Sequence, residues 1–236
     1  MRSDIKRVLE EAFVVPEPRR KKEFFKEVGG TSISTFAFMK LQISYIRKSV
    51  WLVSILVLIL AMVSKAIMGK DCIWMISAMM PFIALCMIAE SARTEMYGMA
   101  ELEQASRFSL KSVMYARLSI IGITHLILLG MVIPFAKNGI LISYIQLGIY
   151  ILVPYLLTST LGLMIVRRVR GKENIYFCAG ISVMVSYLNL LIKDSFQQIY
   201  DEKWFIWWVC VFAYLLVKVC SEYKKVIYRT EDMLWN

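Results

Sequence analysis

Apolar residues run almost unbroken through positions 50–68, 72–89, 112–136, 140–166, 175–192 and 204–220. A helix advances ~1.5 Å per residue and a bilayer core is ~30 Å thick, so about 20 such residues cross it. Each run approaches or exceeds that length, with 204–220 the shortest and 72–89 and 175–192 next. Between them fall Gly69-Lys70-Asp71, Lys137-Asn138-Gly139 and Lys193-Asp194 on one side, and Arg167-Arg168-Val169-Arg170-Gly171-Lys172 on the other. Tight polar loops of this kind join antiparallel helices. The pattern predicts an all-α membrane protein with six transmembrane helices, divided into a cytoplasmic or interfacial segment (1–48), a six-helix domain (49–220) and a cytoplasmic tail (221–236).

The first segment has its own periodicity. Ile5, Val8, Leu9, Ala12 and Phe13 recur at helical spacing opposite Lys6, Arg7, Glu10 and Glu11, with Ser3 in place to cap. Pro16-Glu17-Pro18 ends that helix, and the basic run Arg19-Arg20-Lys21-Lys22 follows. Phe24, Phe25 and Val28 form a second apolar face before Gly29-Gly30. From Thr31 a third helix containing Ile33, Phe36, Phe38, Leu41 and Ile43 leads to Arg47-Lys48 and the first span. Such amphipathic segments rest either on the inner leaflet or on a cytoplasmic partner. A charged start with a late apolar run is not the grammar of a cleaved signal peptide.

Composition agrees with the pattern: 58% of the residues are hydrophobic and the mean hydropathy is +0.60, beyond what a soluble core requires. Charge sets the expected orientation. The first 48 residues, 90–117, 167–172 and the tail after Cys220 hold 11, 4, 4 and 3 Lys or Arg. That makes 22 against five on the other side (Lys65, Lys70, Lys137, Lys193 and Lys203), with Lys218 inside the last run. Basic loops stay in the cytoplasm, so both termini are expected there, in a cell membrane. The net charge of +10 then reads as topology and attraction to anionic lipid, with no nucleic acid as partner.

Function is sought in the loops. On the outer side they are short, leaving no room for a folded binding domain. Inside, residues 90–111 carry Glu90, Glu95, Glu101 and Glu103 against Arg93, Arg107 and Lys111. Met99, Leu102 and Ala105 or Ser106 mark one side of a helix there. Glu103 and Arg107 form a favourable i, i+4 pair, and Ser109 can cap the next span. An acidic amphipathic helix between two spans reads as a lever offered to a partner.

In layout the chain resembles the permease subunit of the type-two ATP-binding-cassette exporters. Six spans, an interfacial helix leading into the first, and a cytoplasmic helix between the second and third carry the resemblance. It implies that residues 95–108 couple to a separate ATPase subunit through Glu95, Met96, Met99, Glu101, Leu102, Glu103, Arg107 and Phe108. Residues 34–47 would form the connecting helix beside it. It also implies a second permease subunit, identical or not, and ATP bound on the partner, with no cofactor in this chain.

Independent chemistry is sparse. GxxxxGK[ST], Gly-x-Ser-x-Gly and His-Glu-x-x-His are absent, so the chain is expected to be non-catalytic, any nucleotide hydrolysis belonging to another subunit. The five cysteines form neither a CxxC nor a cluster with His, and four of the five, inside or at the ends of apolar runs, read as small buried side chains. His125, the single histidine, lies mid-span and suits an interhelical hydrogen bond better than a proton relay. Glu90 closes the second span and Arg117 opens the third, a candidate charge pair at the membrane edge and otherwise two snorkelling side chains. Gln146 and Asn189 are polar groups within spans, Asn189 nearer the interface. Pro81 and Pro154 are candidate kinks, while Thr158 with Gly162 and Ser182 with Ser186 permit close helix contact, as in a permease dimer. Two further functions stay open beside the exporter: a membrane-anchored regulator whose first residues bind a soluble protein, and an intramembrane enzyme.

Overall fold

The computed structural model describes residues 34–69, 72–93, 110–137, 143–169, 171, 173–195 and 202–232. The described residues are almost entirely helical: α1 (Thr35–Tyr45), α2 (Lys48–Met68), α3 (Cys72–Ser91), α4 (Leu110–Lys137), α5 (Tyr144–Arg168), α6 (Asn174–Ser195) and α7 (Phe205–Asp232), the last preceded by a 3-10 turn at Glu202–Trp204. Six of these, α2 to α7, are long and apolar enough to cross a membrane. The chain is therefore a multi-pass membrane protein. The first two amphipathic segments expected before Gly29 lie outside the described residues.

The chain divides into Met1–Phe38 and Met39–Asn236. Of the first unit only residues 34–38 are described, the opening turn of α1, in which the Phe38 amide donates to Ser34 O at 2.9 Å.

In the larger unit α3 and α5 form the centre and pack most extensively on each other. Around them α2 lies on α3 and α4, α6 on α3 and α5, and α7 on α5 and α4. Burial follows that arrangement. Helix α5 is apolar on all sides and mostly enclosed, as a central helix must be. Helix α2 buries only one stripe, Val50, Ser54, Val57, Ala61 and Ser64, at spacings of three and four. Those residues are small, which lets its backbone approach its neighbours, while Leu52, Ile55, Leu56 and Ile59 face outward, where lipid would cover them. Gly69 ends α2 with φ of +59°, a conformation costly for any side chain, and its amide caps Lys65 O.

Successive spans alternate in direction. Ser77 near the start of α3 meets Tyr150 near the start of α5 and Asn189 near the end of α6. Arg93, Arg117, Arg167 and Lys225 accordingly belong to one end of the bundle, hereafter the basic end.

Span boundaries differ from the sequence expectation mainly at two helices. Helix α5 begins at Tyr144 and not at residue 140. Helix α7 does not stop at Cys220 but continues to Asp232. Its continuation is amphipathic: Val226 and Ile227 are buried in a cluster with Ile88, Ala92, Met114, Leu163 and Val166, so part of the expected tail packs into the core at the basic end. Polar residues at 221, 222, 224 and 225 had concealed that face in a hydropathy reading.

Candidate functional site

Three layers of polar side chains cross the bundle. At the basic end Glu90 is buried at the end of α3, and its Oε1 accepts from Arg93 Nη1 at 2.8 Å. The same Arg93 nitrogen donates to Tyr45 O of α1, also at 2.8 Å. From α4, the buried Arg117 donates through Nε to Gln42 Oε1 of α1 at 3.3 Å. Helix α1 is inverted relative to a soluble helix: Gln42 is buried while Leu41, Ile43 and Tyr45 are exposed. Arg93 and Arg117 thus converge on α1, and Arg93 is also the ion-pair partner of Glu90. Arg93 and Gln42 were not anticipated. A glutamine among apolar residues was the one available signal for the second.

The eight residues expected to couple to an ATPase, Glu95, Met96, Met99, Glu101, Leu102, Glu103, Arg107 and Phe108, lie outside the described residues. Their frame is described on both sides, by Arg93 before and Leu110 after.

A second group at this end joins α5 to α7. Arg167 Nε lies 3.1 Å from Glu222 Oε2, an ion pair whose N–H points off the hydrogen-bond line, and Lys225 Nζ donates to Glu222 Oε1 at 2.7 Å. Glu222 is buried.

Midway along the spans His125 Nδ1 lies 3.1 Å from Tyr155 Oη, whose hydroxyl also reaches Met87 Sδ at 3.5 Å. His125 therefore makes the interhelical contact expected of it, and α3, α4 and α5 meet there.

The third layer lies toward the opposite end. Pro154 has no amide proton, so the carbonyl of Tyr150, four residues earlier, loses its partner within α5. Ser77 Oγ of α3 donates to that carbonyl at 3.1 Å and accepts from Asn189 Nδ2 of α6 at 2.7 Å. Ser186 Oγ donates to Ala78 O at 2.6 Å, beside the second proline, Pro81. Asn189 is thus an interhelical donor as well as a residue near the end of its span. Gln146 Nε2 donates to Tyr150 Oη at 2.8 Å, and the Tyr150 ring stands edge-on to Trp208 at 5.2 Å.

The small residues also act inside the chain. A Cβ added at Gly162 would overlap the side chain of Ile88, so α3 and α5 cross closely there, and Ser186 serves the α3–α6 contact. Among the described residues no group of three His, Cys, Asp or Glu is placed to hold a metal ion.

Comparison of the chain with protein-family models, with curated proteins and with solved structures finds no match.

Proposed function

We propose that the chain is the permease subunit of an ATP-driven exporter, working with a separate ATPase and a second permease subunit in a cell membrane. The basic end faces the cytoplasm, both termini lie there, and anionic lipid surrounds the Arg167 cluster. The observation that supports this reading most is the tie between α1 and both edges of the 94–109 connector: Arg93 to Tyr45 O on one edge, Arg117 to Gln42 on the other.

The arrangement suits a lever. A force applied to residues 95–108 enters α3 through Arg93 and α4 through Leu110. Because α3 is central and α4 contacts α2, α5 and α7, a tilt of this pair disturbs the whole bundle. Polar contacts to α1 make that helix move with the pair. Its exposed Leu41, Ile43 and Tyr45 suit the headgroup boundary, where sliding meets little resistance.

The coupling contact is testable. Glu101→Lys with Glu103→Lys reverses the acidic face at little cost in helix propensity, since Glu and Lys rank alike. Membrane insertion should persist, while copurification of the ATPase, or stimulation of its ATP hydrolysis, should fall at least tenfold. Met99→Ala and Leu102→Ala should lower it further. Deleting residues 1–15 should leave coupling nearly intact. Unchanged association after the charge reversals, with loss of a soluble partner on deleting 1–15, would replace the exporter by the membrane-anchored regulator.

A further inference from the structure

One group of buried side chains is left with unused hydrogen-bonding capacity where the spans are otherwise apolar. His125 is 2% exposed and its Nε2 has no partner; Ser159, 0% exposed, leaves its Oγ without one. Both flank Tyr155: the His125 ring is edge-on to it at 5.8 Å, and Ser159 follows it about one helical turn later on α5.

Neighbouring hydroxyls show that this is not the habit of the bundle. Ser54, Thr124, Thr158, Thr160 and Ser182 each donate to the carbonyl four residues earlier, at 2.7 to 2.9 Å. Ser159 does not. An unused polar group in an apolar interior costs roughly 1–3 kcal/mol, so two at one level are expensive unless something else occupies them.

The kind of occupant follows from the surroundings. The sequence holds no Asp, Glu, Lys or Arg within 72–89, 118–136 or 144–166, the stretches that meet at Tyr155. An anion or cation would sit there uncompensated, at a cost of several kcal/mol. A neutral hydroxyl fits: it can donate to an unused acceptor or accept from an unused donor, while its hydrocarbon lies against apolar walls. One turn before His125 on α4, a Cβ added at Gly122 meets nothing within 4 Å, so the helix surface is open there.

We propose that His125, Ser159 and Tyr155 form a binding site for the hydroxyl group of a neutral, largely apolar molecule held among α3, α4 and α5. The site stands apart from the ATPase reading, and loss of coupling would leave it intact.

His125 is the single histidine, so the full chain labelled with 15N-histidine in lipid nanodiscs gives one imidazole. Titration with 1-octanol should shift its Nε2 resonance saturably, and octane at equal membrane loading should not. Ser159→Ala should weaken the apparent octanol affinity about fivefold or more, and Gly122→Leu, which fills that open surface without touching a polar group, should weaken it too. The proposal is overturned by no octanol shift, by an equal shift with octane, by a shift that never saturates, or by unaltered affinity in both variants. Imidazole protonation with changing pH and no octanol response would also overturn it, in favour of a proton site.

Discussion

Ser77 Oγ donates to the Tyr150 carbonyl at 3.1 Å, the carbonyl that Pro154 deprives of an amide within its own helix. A proline in a span needs such a substitute donor, because lipid offers none. Ser77→Ala should therefore lower stability in detergent by about 1 kcal/mol. Pro154→Ala restores an amide to Tyr150 O, so Ser77→Ala should cost clearly less in that background. Equal costs in both backgrounds, read from thermal midpoints, would show that the carbonyl never depended on Ser77.

Gly162 meets a similar test from steric contact. A methyl at that position overlaps Ile88, so Gly162→Ala should destabilise by about 1–3 kcal/mol. Ile88→Ala, itself costly because Ile88 is buried, opens the space the new methyl needs. The double variant should lose less than the two single variants combined. Strict additivity would place the crossing of α3 and α5 elsewhere.

At the basic end Glu90 pairs with Arg93. Removing one member of a buried pair costs about 3–5 kcal/mol, and Arg93, 19% exposed, puts this pair at the low end. Glu90→Gln and Arg93→Gln should each destabilise. Exchanging the two charges should restore part of the loss, and exchanging Glu90 with Arg117 should restore less. Greater rescue from the Arg117 exchange, in thermal midpoint or ATPase stimulation, would reverse the assignment.

What the residue pattern disclosed, and what it hid, divides along physical lines. Helix length and apolar content are local properties, so all six spans were legible. The extension of α7 was not, because Val226 and Ile227 are buried by α3, α4 and α5 residues distant in sequence. Pro154 announced an unpaired carbonyl, yet nothing near it said that Ser77 would supply the donor. His125 was noticeable as a lone imidazole, whereas Ser159 is one hydroxyl among many and only its missing partner sets it apart. Glu90 and Arg117 were recognised as membrane-edge charges, but the contacts of Arg93 and Arg117 with α1 depend on how that helix packs.

Orientation rests on the basic end lying in the cytoplasm, and its test must first silence the native thiols. Cys210 and Cys220 are exposed on α7, Cys86 is partly buried, and Cys72 and Cys178 are buried. Serine suits Cys178, whose Sγ lies 3.4 Å from Asn174 Oδ1 and can be replaced by a hydroxyl donor. In that background, single cysteines at Asn138 and Lys172 should react with an impermeant maleimide from opposite sides of sealed cells. Asn138 should label in intact cells, and Lys172 only after the membrane is opened. The 22-to-five bias of Lys and Arg requires this direction. Labelling of both from one side would remove an odd number of crossings between α4 and α6. A reversed result would keep six spans but turn the α1 contacts outward, away from any cytoplasmic ATPase, and the exporter reading would fall with it.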